Sequence, residues 1–222
     1  MTNHPTEKDQ NGCHNPRHRF PIIVLISGRG SNLQAIIDAA HRDLPVEIRA
    51  VISNQTDAFG LERARRAGIE TAVLDHRSFP NRGAFDRALT ALVEEYEPGL
   101  VVLAGFMRIL TPAFVTHFQG RLINIHPALL PQLPGLDTHA RAIAQGLREH
   151  GATVHFVTEE VDAGPIIRQA RVPVLPDDTP ETLAARVLEQ EHRIFPQAIR
   201  QFVENQNARS SADPKHPSGQ SI

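Results

Sequence analysis

The chain has 222 residues, which is enough for one large domain or two small ones with a sizeable core. Hydrophobic residues make up 41% of it and charged residues 22%, as is ordinary for a soluble globular protein. Its 23 basic and 25 acidic residues nearly balance, so the charge indicates neither a nucleic-acid partner nor attraction to an anionic membrane. The only cysteine, Cys13, excludes an intrachain disulfide and a cysteine-rich zinc site.

The two ends of the chain differ in composition from the part between them. Residues 1–19 are rich in Asn, His, Pro and charge, which predicts a flexible leader without the apolar stretch of a signal peptide. No later stretch is long and apolar enough to predict a membrane span, so the sequence favours a cytoplasmic protein. Residues 205–222 are again polar and predict a flexible tail, which leaves residues 20–204 as the folded domain.

Between these ends, apolar runs alternate with helical patterns. The runs predict about seven strands, at residues 21–27, 46–53, 69–74, 100–104, 121–124, 152–158 and 166–174. The helical patterns lie at residues 32–41, 60–67, 82–95, 112–118, 138–145 and 179–202. This alternation predicts an α/β fold with an open, mostly parallel, twisted sheet that carries helices on both faces. Ligands of such sheets bind beyond the carboxyl ends of the strands.

A glycine-rich turn, residues 27–32 (SGRGSN), follows the first predicted strand and opens the first predicted helix. Gly28 and Gly30 allow positive φ angles and a close backbone approach, so the amides of Gly30, Ser31 and Asn32 can point at an anion. The glycine spacing matches neither a Walker loop nor a dinucleotide fingerprint. Phosphate binding and a plain tight turn with a serine N-cap both remain open.

A second motif, residues 103–110 (LAGFMRIL), leaves the fourth predicted strand as a loop. Its apolar side chains, Phe106, Met107, Ile109 and Leu110, are suited to the wall of a pocket for a flat apolar ring. From the residues alone, an ordinary loop that covers the core is the better supported interpretation.

The most informative motif is Asn124-Ile-His126, at the end of the fifth predicted strand. Residues two apart on a strand share a face, and Asp162 lies in a short loop indicated by Ala-Gly-Pro at 163–165. An amide, an imidazole and a carboxylate together stabilise an oxyanion, move a proton and keep the histidine charged. That set suits attack on an acyl carbon without a covalent enzyme intermediate. A capping Asn124, a structural His126 and a turn-forming Asp162 are the alternatives.

The segment after His126 is stiff, because residues 127–134 contain three prolines, and the Leu130–Pro131 bond is the one we expect to be cis. Asp137 is a secondary site candidate, although a helix N-cap is the better supported interpretation of this residue. His139 and His155 are secondary site candidates, and His155 alternates with its strand neighbours so that it points toward the site. No spacing of ligand residues indicates a metal, and we predict none.

These motifs together resemble the glycinamide ribonucleotide formyltransferase family, in its folate-dependent single-domain type. The resemblance covers about residues 22–202, and the matching segments are 27–36, 53–54, 58–64, 103–110, 124–131, 151–157 and 190–192. It implies a Rossmann-like formyltransferase fold. The implied activity is transfer of the formyl group of 10-formyltetrahydrofolate to the amine of 5-phosphoribosylglycinamide, which yields the N-formyl product and tetrahydrofolate in purine (IMP) biosynthesis.

The resemblance also implies roles for individual residues. The catalytic set it implies is Asn124, His126 and Asp162. The residues implied to bind the phosphorylated substrate are Gly30, Ser31, Asn32 and Glu191. Those implied to bind folate are Arg82, Met107, Arg108, Ile109, Leu110 and Asn124. One departure is Asp137, which stands where some relatives carry histidine, so a direct substrate role at that position is in doubt.

Three other functions are weighed against this one. A 10-formyltetrahydrofolate hydrolase carries an additional N-terminal regulatory domain, which 19 residues cannot encode. A methionyl-tRNA formyltransferase needs a further RNA-binding domain, and the tail here is short and not basic. A non-catalytic folate- or nucleotide-binding module has no need of a proton-transfer group. The sequence is compatible with a homodimer and does not decide between it and a monomer.

Overall fold

The computed structural model describes residues 19–212. Apart from Arg19, the predicted leader lies outside the described residues, and so does the predicted tail beyond residue 212. In the described part of the chain, no helix is long and apolar enough to cross a membrane.

Seven strands form one sheet in the order β3-β2-β1-β4-β5-β6-β7. Their bounds are Phe20–Ile26 (β1), Val46–Ser53 (β2), Glu70–Val73 (β3), Leu100–Leu103 (β4), Leu122–His126 (β5), Glu149–Phe156 (β6) and Ile166–Pro173 (β7). The first five strands pair in parallel, whereas β6 runs antiparallel to both of its neighbours. The predicted open, mostly parallel sheet is confirmed.

Helices cover both faces of the sheet. Their bounds are Ser31–Arg42 (α1), Phe59–Arg66 (α2), Arg82–Glu94 (α3), Pro112–His117 (α4), Thr138–Ala144 (α5) and Pro180–Ala212 (α6). Alternate residues of β1 point to opposite sides, so Ile22 and Val24 pack beneath α1 and α6, while Ile23 and Leu25 pack against α3 and α4. A sheet covered on both faces explains the near-continuous apolar runs of the central strands.

The strand order brings the sequence motifs together. Strands β1, β4 and β5 are neighbours and run parallel, so their carboxyl ends lie at one edge of the sheet. The glycine-rich turn follows β1, the 103–110 loop follows β4, and Asn124 and His126 lie in the last residues of β5. The edge therefore carries all three motifs, in agreement with the rule for ligand sites in such sheets.

The predicted start of the flexible tail at residue 205 is wrong for residues 205–212, which continue α6. The helix continues beyond the part that packs against the core. Phe202 and Val203 are its last residues described as buried, and the turns after them are mostly exposed. The change in composition near residue 205 coincides with the end of the buried part of the helix. Backbone hydrogen bonds continue the helix beyond that point.

Candidate active site

The glycine-rich turn is held tightly between β1 and the first turn of α2. Gly30 has a φ of 69°, and a Cβ added to it would lie 2.6 Å from the Cα of Gly60. The Gly60 amide donates to the carbonyl of Gly28 at 3.0 Å. Gly30 is the N-cap of α1 and Ser31 is its first residue, so the alternative of a serine N-cap is wrong. The first amides of α1 consequently face the edge of the sheet without a side-chain cap.

Asn32 links this turn to α6. Its Nδ2 donates to Oε2 of Glu191 at 2.6 Å, and both side chains are buried. Burial raises the pKa of the Glu191 carboxyl, although the hydrogen bond from Asn32 opposes that rise. The Oδ1 atom of Asn32 is buried and has no hydrogen-bond partner among residues 19–212. The pair therefore places a carboxyl group and a free amide oxygen beside the turn.

The loop that follows β4 is anchored at both ends. The Ser27 amide donates to the carbonyl of Gly105 at 3.0 Å, and the Met107 amide donates to the Ser27 hydroxyl at 2.8 Å. At the far end, the Thr111 amide donates to the buried carboxylate of Asp86 on α3 at 2.6 Å. The loop is thus fixed to the end of β1 and to α3.

The side chains of this loop divide between core and surface. Phe106 is buried and Leu110 packs against the core, whereas Met107 and Ile109 are 74% and 62% exposed. The guanidinium of Arg108 lies over the ring of Phe85, 4.9 Å from its centroid. The exposed apolar side chains lie beside the turn after β1, because Ser27 binds the amide of Met107. They form an open apolar ledge there.

Arg82, which the resemblance also implies for folate, lies on α3 and is not part of this ledge. It is exposed and begins α3, one helical turn before Asp86, which anchors the loop at Thr111. Residues four apart share a helix face, so Arg82 lies on the side of α3 that faces the loop. No contact of its side chain with the loop residues is observed.

The structure brings Asn124, His126 and Asp162 together. Asn124 and His126 share one face of β5, and Asp162 reaches them from the loop between β6 and β7. The Nδ1 atom of His126 lies 3.3 Å from Oδ2 of Asp162, and the two side chains are only 6% and 10% exposed. The Gly135 amide donates to the same carboxylate oxygen at 2.8 Å.

Both ring nitrogens of His126 face oxygen acceptors. Nε2 lies 2.9 Å from the carbonyl oxygen of Leu133, and Nδ1 faces the Asp162 carboxylate. A carbonyl and a carboxylate can only accept, so the doubly protonated, cationic ring is the form that satisfies both. Two acceptor oxygens therefore flank the ring beside Asn124, where the side chain is only 6% exposed.

His155 on β6 completes the cluster. It pairs with Asn124 across the strands, and its Nε2 lies 3.4 Å from Nδ2 of Asn124 and 3.7 Å from Oδ1 of Asp162. Its Nδ1 donates to the carbonyl of Phe156 at 2.8 Å, which leaves Nε2 to accept from Asn124. Burial lowers the pKa of His155, which favours this neutral form. The alternation of the strand had indicated this orientation.

The remaining candidates, Asp137 and His139, lie at the start of α5. Asp137 occupies the N-cap position of α5, but its φ is 55° and its side chain makes no capping hydrogen bond, so the predicted capping role is wrong. A capping residue normally has an extended backbone, whereas that of Asp137 is left-handed. His139 stacks edge-on against His150, with ring centroids 5.2 Å apart. The Leu130–Pro131 bond is cis, as predicted.

In chemical terms, the edge of the sheet combines a helix start without a side-chain cap, an apolar ledge, and an imidazole–carboxylate pair beside the amide of Asn124. Within residues 19–212, no group of three or more His, Cys, Asp or Glu side chains is placed to hold a metal ion. The side chains gathered here are suited to hydrogen bonding, charge stabilisation and proton transfer.

Comparison with known proteins decides the family. The model of the family described as formyl transferase matches residues 20–199. The chain belongs to the formyl transferase family. The predicted resemblance is thereby confirmed.

Named relatives of this formyl transferase agree with one another. The phosphoribosylglycinamide formyltransferase of Escherichia coli is 56% identical over 184 residues, which cover 82% of this chain and 87% of that protein. A solved phosphoribosylglycinamide formyltransferase from Coxiella burnetii is 54% identical with a TM-score of 0.81, over 85% of this chain and 89% of that one. Glycinamide ribonucleotide transformylase 1 from Symbiobacterium toebii is 48% identical with a TM-score of 0.84, over 89% and 94%.

Proposed function

We propose that the protein transfers the formyl group of 10-formyltetrahydrofolate to the amine of 5-phosphoribosylglycinamide in purine biosynthesis. Family membership supports formyl transfer, and the names of the relatives support this acceptor. The observation that carries the proposal is the contact of Asp162 with His126 beside Asn124, at the edge of the sheet that also holds the glycine-rich turn. This arrangement suits acyl transfer and serves no evident purpose in a simple binding protein.

The phosphorylated amine binds at the turn after β1. The amides of Gly30, Ser31 and Asn32 take the phosphate, because the start of α1 offers unpaired N–H groups and a favourable dipole. Glu191 lies beside Asn32 and accepts hydrogen bonds from sugar hydroxyl groups. The free Oδ1 of Asn32 is a further acceptor at the same place.

The folate binds on the apolar ledge. Met107 and Ile109 cover one face of its flat ring, and burial of their exposed surface stabilises the complex. Leu110 packs below, and Arg108 and Arg82 supply positive charge for the carboxylates of the glutamate part. Since Ser27 joins this ledge to the phosphate turn, the two substrates meet in front of Asn124.

In the reaction, the amine nitrogen forms a bond to the formyl carbon, and the formyl oxygen becomes negatively charged. Asn124 has one N–H directed to His155 and one free, and the free N–H donates to that oxygen. The cationic His126 beside it favours the same negative charge. A direct hydrogen bond from Nε2 of His126 requires the Leu133 carbonyl to move away, which is a local shift in the loop after β5.

The intermediate collapses when the bond from the formyl carbon to the folate nitrogen breaks. The amine loses a proton, and the folate nitrogen gains one. Asp162 keeps His126 charged and positions a water molecule that relays this proton. Binding of both substrates in one cleft supplies the remaining rate advantage through proximity.

A spectroscopic assay of folate deformylation, with and without 5-phosphoribosylglycinamide, tests the proposal. We expect release of the folate product only when the amine is present, in equal amount with the N-formyl product. Release without the amine indicates a 10-formyltetrahydrofolate hydrolase instead. No release under either condition, together with retained folate binding, indicates a non-catalytic binding module. A cytoplasmic location and a homodimer stay predictions.

A further inference from the structure

A row of three polar residues crosses the sheet next to the site. Thr153 on β6 pairs with His126 on β5, and it also pairs with Gln169 on β7. The row therefore begins at the proposed catalytic histidine and extends away from the substrates. Thr153 is fully buried, so its hydroxyl group must be satisfied inside the protein.

The hydroxyl group of Thr153 uses its whole hydrogen-bonding capacity on this row and on the loop after β5. It donates to the carbonyl of Ala128 at 2.6 Å, and it accepts from the Leu130 amide at 3.1 Å. It also accepts from Nε2 of Gln169 at 2.8 Å. One donor and two acceptor positions are all that a hydroxyl group has.

Both amide hydrogens of Gln169 are used in the same network. Its Nε2 donates one hydrogen to the Thr153 hydroxyl and the other to the carbonyl of Leu130, both at 2.8 Å. Leu130 is therefore held through its amide and its carbonyl by two different strands. Because Leu130 and Thr153 are buried, a shift of the loop at this point would leave a buried polar group unpaired.

The loop held in this way carries the groups that orient the site. Beyond Leu130 a turn closes with the Gln132 amide donating to the carbonyl of Leu129 at 2.9 Å. The next residue, Leu133, offers its carbonyl to Nε2 of His126, and the amide of Gly135 binds Asp162. Fixing Leu130 therefore limits how far the Leu133 carbonyl and the Gly135 amide can move from the imidazole and the carboxylate.

We propose that Thr153 and Gln169 are positioning residues for formyl transfer, which hold the loop after β5 so that Leu133 and Gly135 orient His126 and Asp162. The proposal rests on the proposed function. Neither side chain touches the substrates, so their loss lowers the rate of the chemical step and leaves substrate binding nearly unchanged.

The central variant is Thr153→Val, which keeps the shape of the side chain and removes only the hydroxyl group. We expect kcat to fall about 10- to 100-fold, since small misplacements of catalytic groups have effects of this size. The KM values for folate and for the amine change less than about twofold. Thr153→Ser restores the hydroxyl group and keeps kcat within about threefold of wild type, although it loses a buried methyl group.

Two further variants separate positioning from folding. Gln169→Leu removes both donors from a partly buried residue, and we expect it to lower kcat when Thr153 is intact but to add little to Thr153→Val. Thr90→Val is the matched control, because the Thr90 hydroxyl donates to the Asp86 carbonyl within α3, away from the row. It leaves kcat unchanged.

A second measurement does not depend on activity. The ring nitrogens of His126 are observed by NMR in the ¹⁵N-histidine-labelled protein, and we expect Thr153→Val but not Thr90→Val to shift them. Wild-type kcat in Thr153→Val, equal impairment of Thr153→Ser and Thr153→Val, or unshifted His126 signals would each overturn the inference. An inactive wild-type enzyme contradicts the proposed function alone, and the NMR comparison still tests the positioning.

Discussion

Asp162 shows at the scale of a residue how the site is held in place. Its φ is 55°, in the left-handed region that costs free energy for any residue with a Cβ. The amide of Gly135 and the imidazole of His126 bind its carboxylate and offset that cost. The Gly135 amide and the His126 ring therefore stabilise the strained backbone of Asp162, and its carboxylate in turn orients both of them.

Changing Asp162 to Asn is the sharpest residue-scale test of the site. The amide keeps the size of the side chain but removes the negative charge that pairs with His126. We expect kcat to fall about 10²–10³-fold while the dissociation constant for folate changes little. Steady-state kinetics and a folate titration measure the two quantities.

The exposed Asp177 provides the control, because Asp177→Asn removes a carboxylate in the loop before α6 and leaves the site intact. Its kcat is expected to equal that of wild type. An Asp162→Asn enzyme with normal turnover would show that the carboxylate has no part in the reaction.

Glu191 gives a second residue-scale prediction, concerning pH. In the unfolded chain the Glu191 carboxyl loses its proton at its ordinary pKa of 4.5. In the folded protein its pKa is raised, so the carboxyl stays protonated to a higher pH. Stability therefore falls as the pH rises from 4.5 toward the raised pKa, and the loss persists above it. We expect Glu191→Gln to raise the free energy of unfolding at pH 7, with no gain at pH 4, and to raise the KM for the phosphorylated amine.

Urea denaturation at both pH values measures this effect. Glu189→Gln is the matched control, since Glu189 is exposed two residues away on the same helix. A gain of equal size at pH 4 and pH 7 would contradict the explanation from burial of the carboxyl group.

At the scale of the element, the sequence predicted the strands and helices because their patterns are local. The range of β2, residues 46–53, agrees at both ends. The fifth strand, by contrast, runs to His126 rather than to residue 124, because His126 pairs with Thr153 on β6. Pairing with a strand that lies some 27 residues later in the chain has no local signature.

The candidate site likewise contains some groups that the sequence predicted and others that only the folded structure reveals. Asn124, His126 and Asp162 were proposed from their chemistry and from their places at strand ends and turns. The Leu133 carbonyl and the Gly135 amide were not, because every residue has such groups and only the folded loop selects two of them. Gln169 was not predicted for a related reason. It reaches Thr153 only because the register between β6 and β7 places the two residues opposite each other.

The end of α6 gives the element-scale prediction. Deleting residues 205–222 removes exposed helical turns and no buried apolar side chain of the described residues. We expect the free energy of unfolding to change by less than about 0.5 kcal/mol, with unchanged kcat. Phe202→Ala, which empties a place beside the rings of Phe20 and Phe156, is expected to cost about 3–5 kcal/mol. Similar losses in the two variants would show that the last turns contribute to packing.

For the whole molecule, buried histidines predict sensitivity to acid. Burial lowers the pKa of His139 and His155, and it lowers that of His150 to about 4. Near pH 6.5 these histidines become protonated in the unfolded chain but stay neutral in the folded protein. The free energy of unfolding therefore decreases as the pH falls from 6.5 toward 4. His150 alone accounts for at most about 3 kcal/mol of this loss.

Urea denaturation at pH 7.5, 6 and 5 measures this dependence. His150→Gln removes the ionisable group, so its stability is expected to fall less steeply with acid than that of wild type, even where it is less stable at pH 7.5. Parallel curves for the two proteins would contradict the role assigned to this buried ring.

The central claim is that the amide of Asn124 and the cationic ring of His126 meet one formyl oxygen at the edge of the sheet. A crystal structure with 5-phosphoribosylglycinamide and a folate analogue whose acyl group cannot be transferred tests it most directly. The account predicts that the acyl oxygen lies within about 3.2 Å of Nδ2 of Asn124 and of a ring nitrogen of His126. It also predicts the phosphate at the amides of Gly30, Ser31 and Asn32. An acyl oxygen beyond hydrogen-bonding distance of either side chain, or a phosphate bound away from this turn, would contradict it.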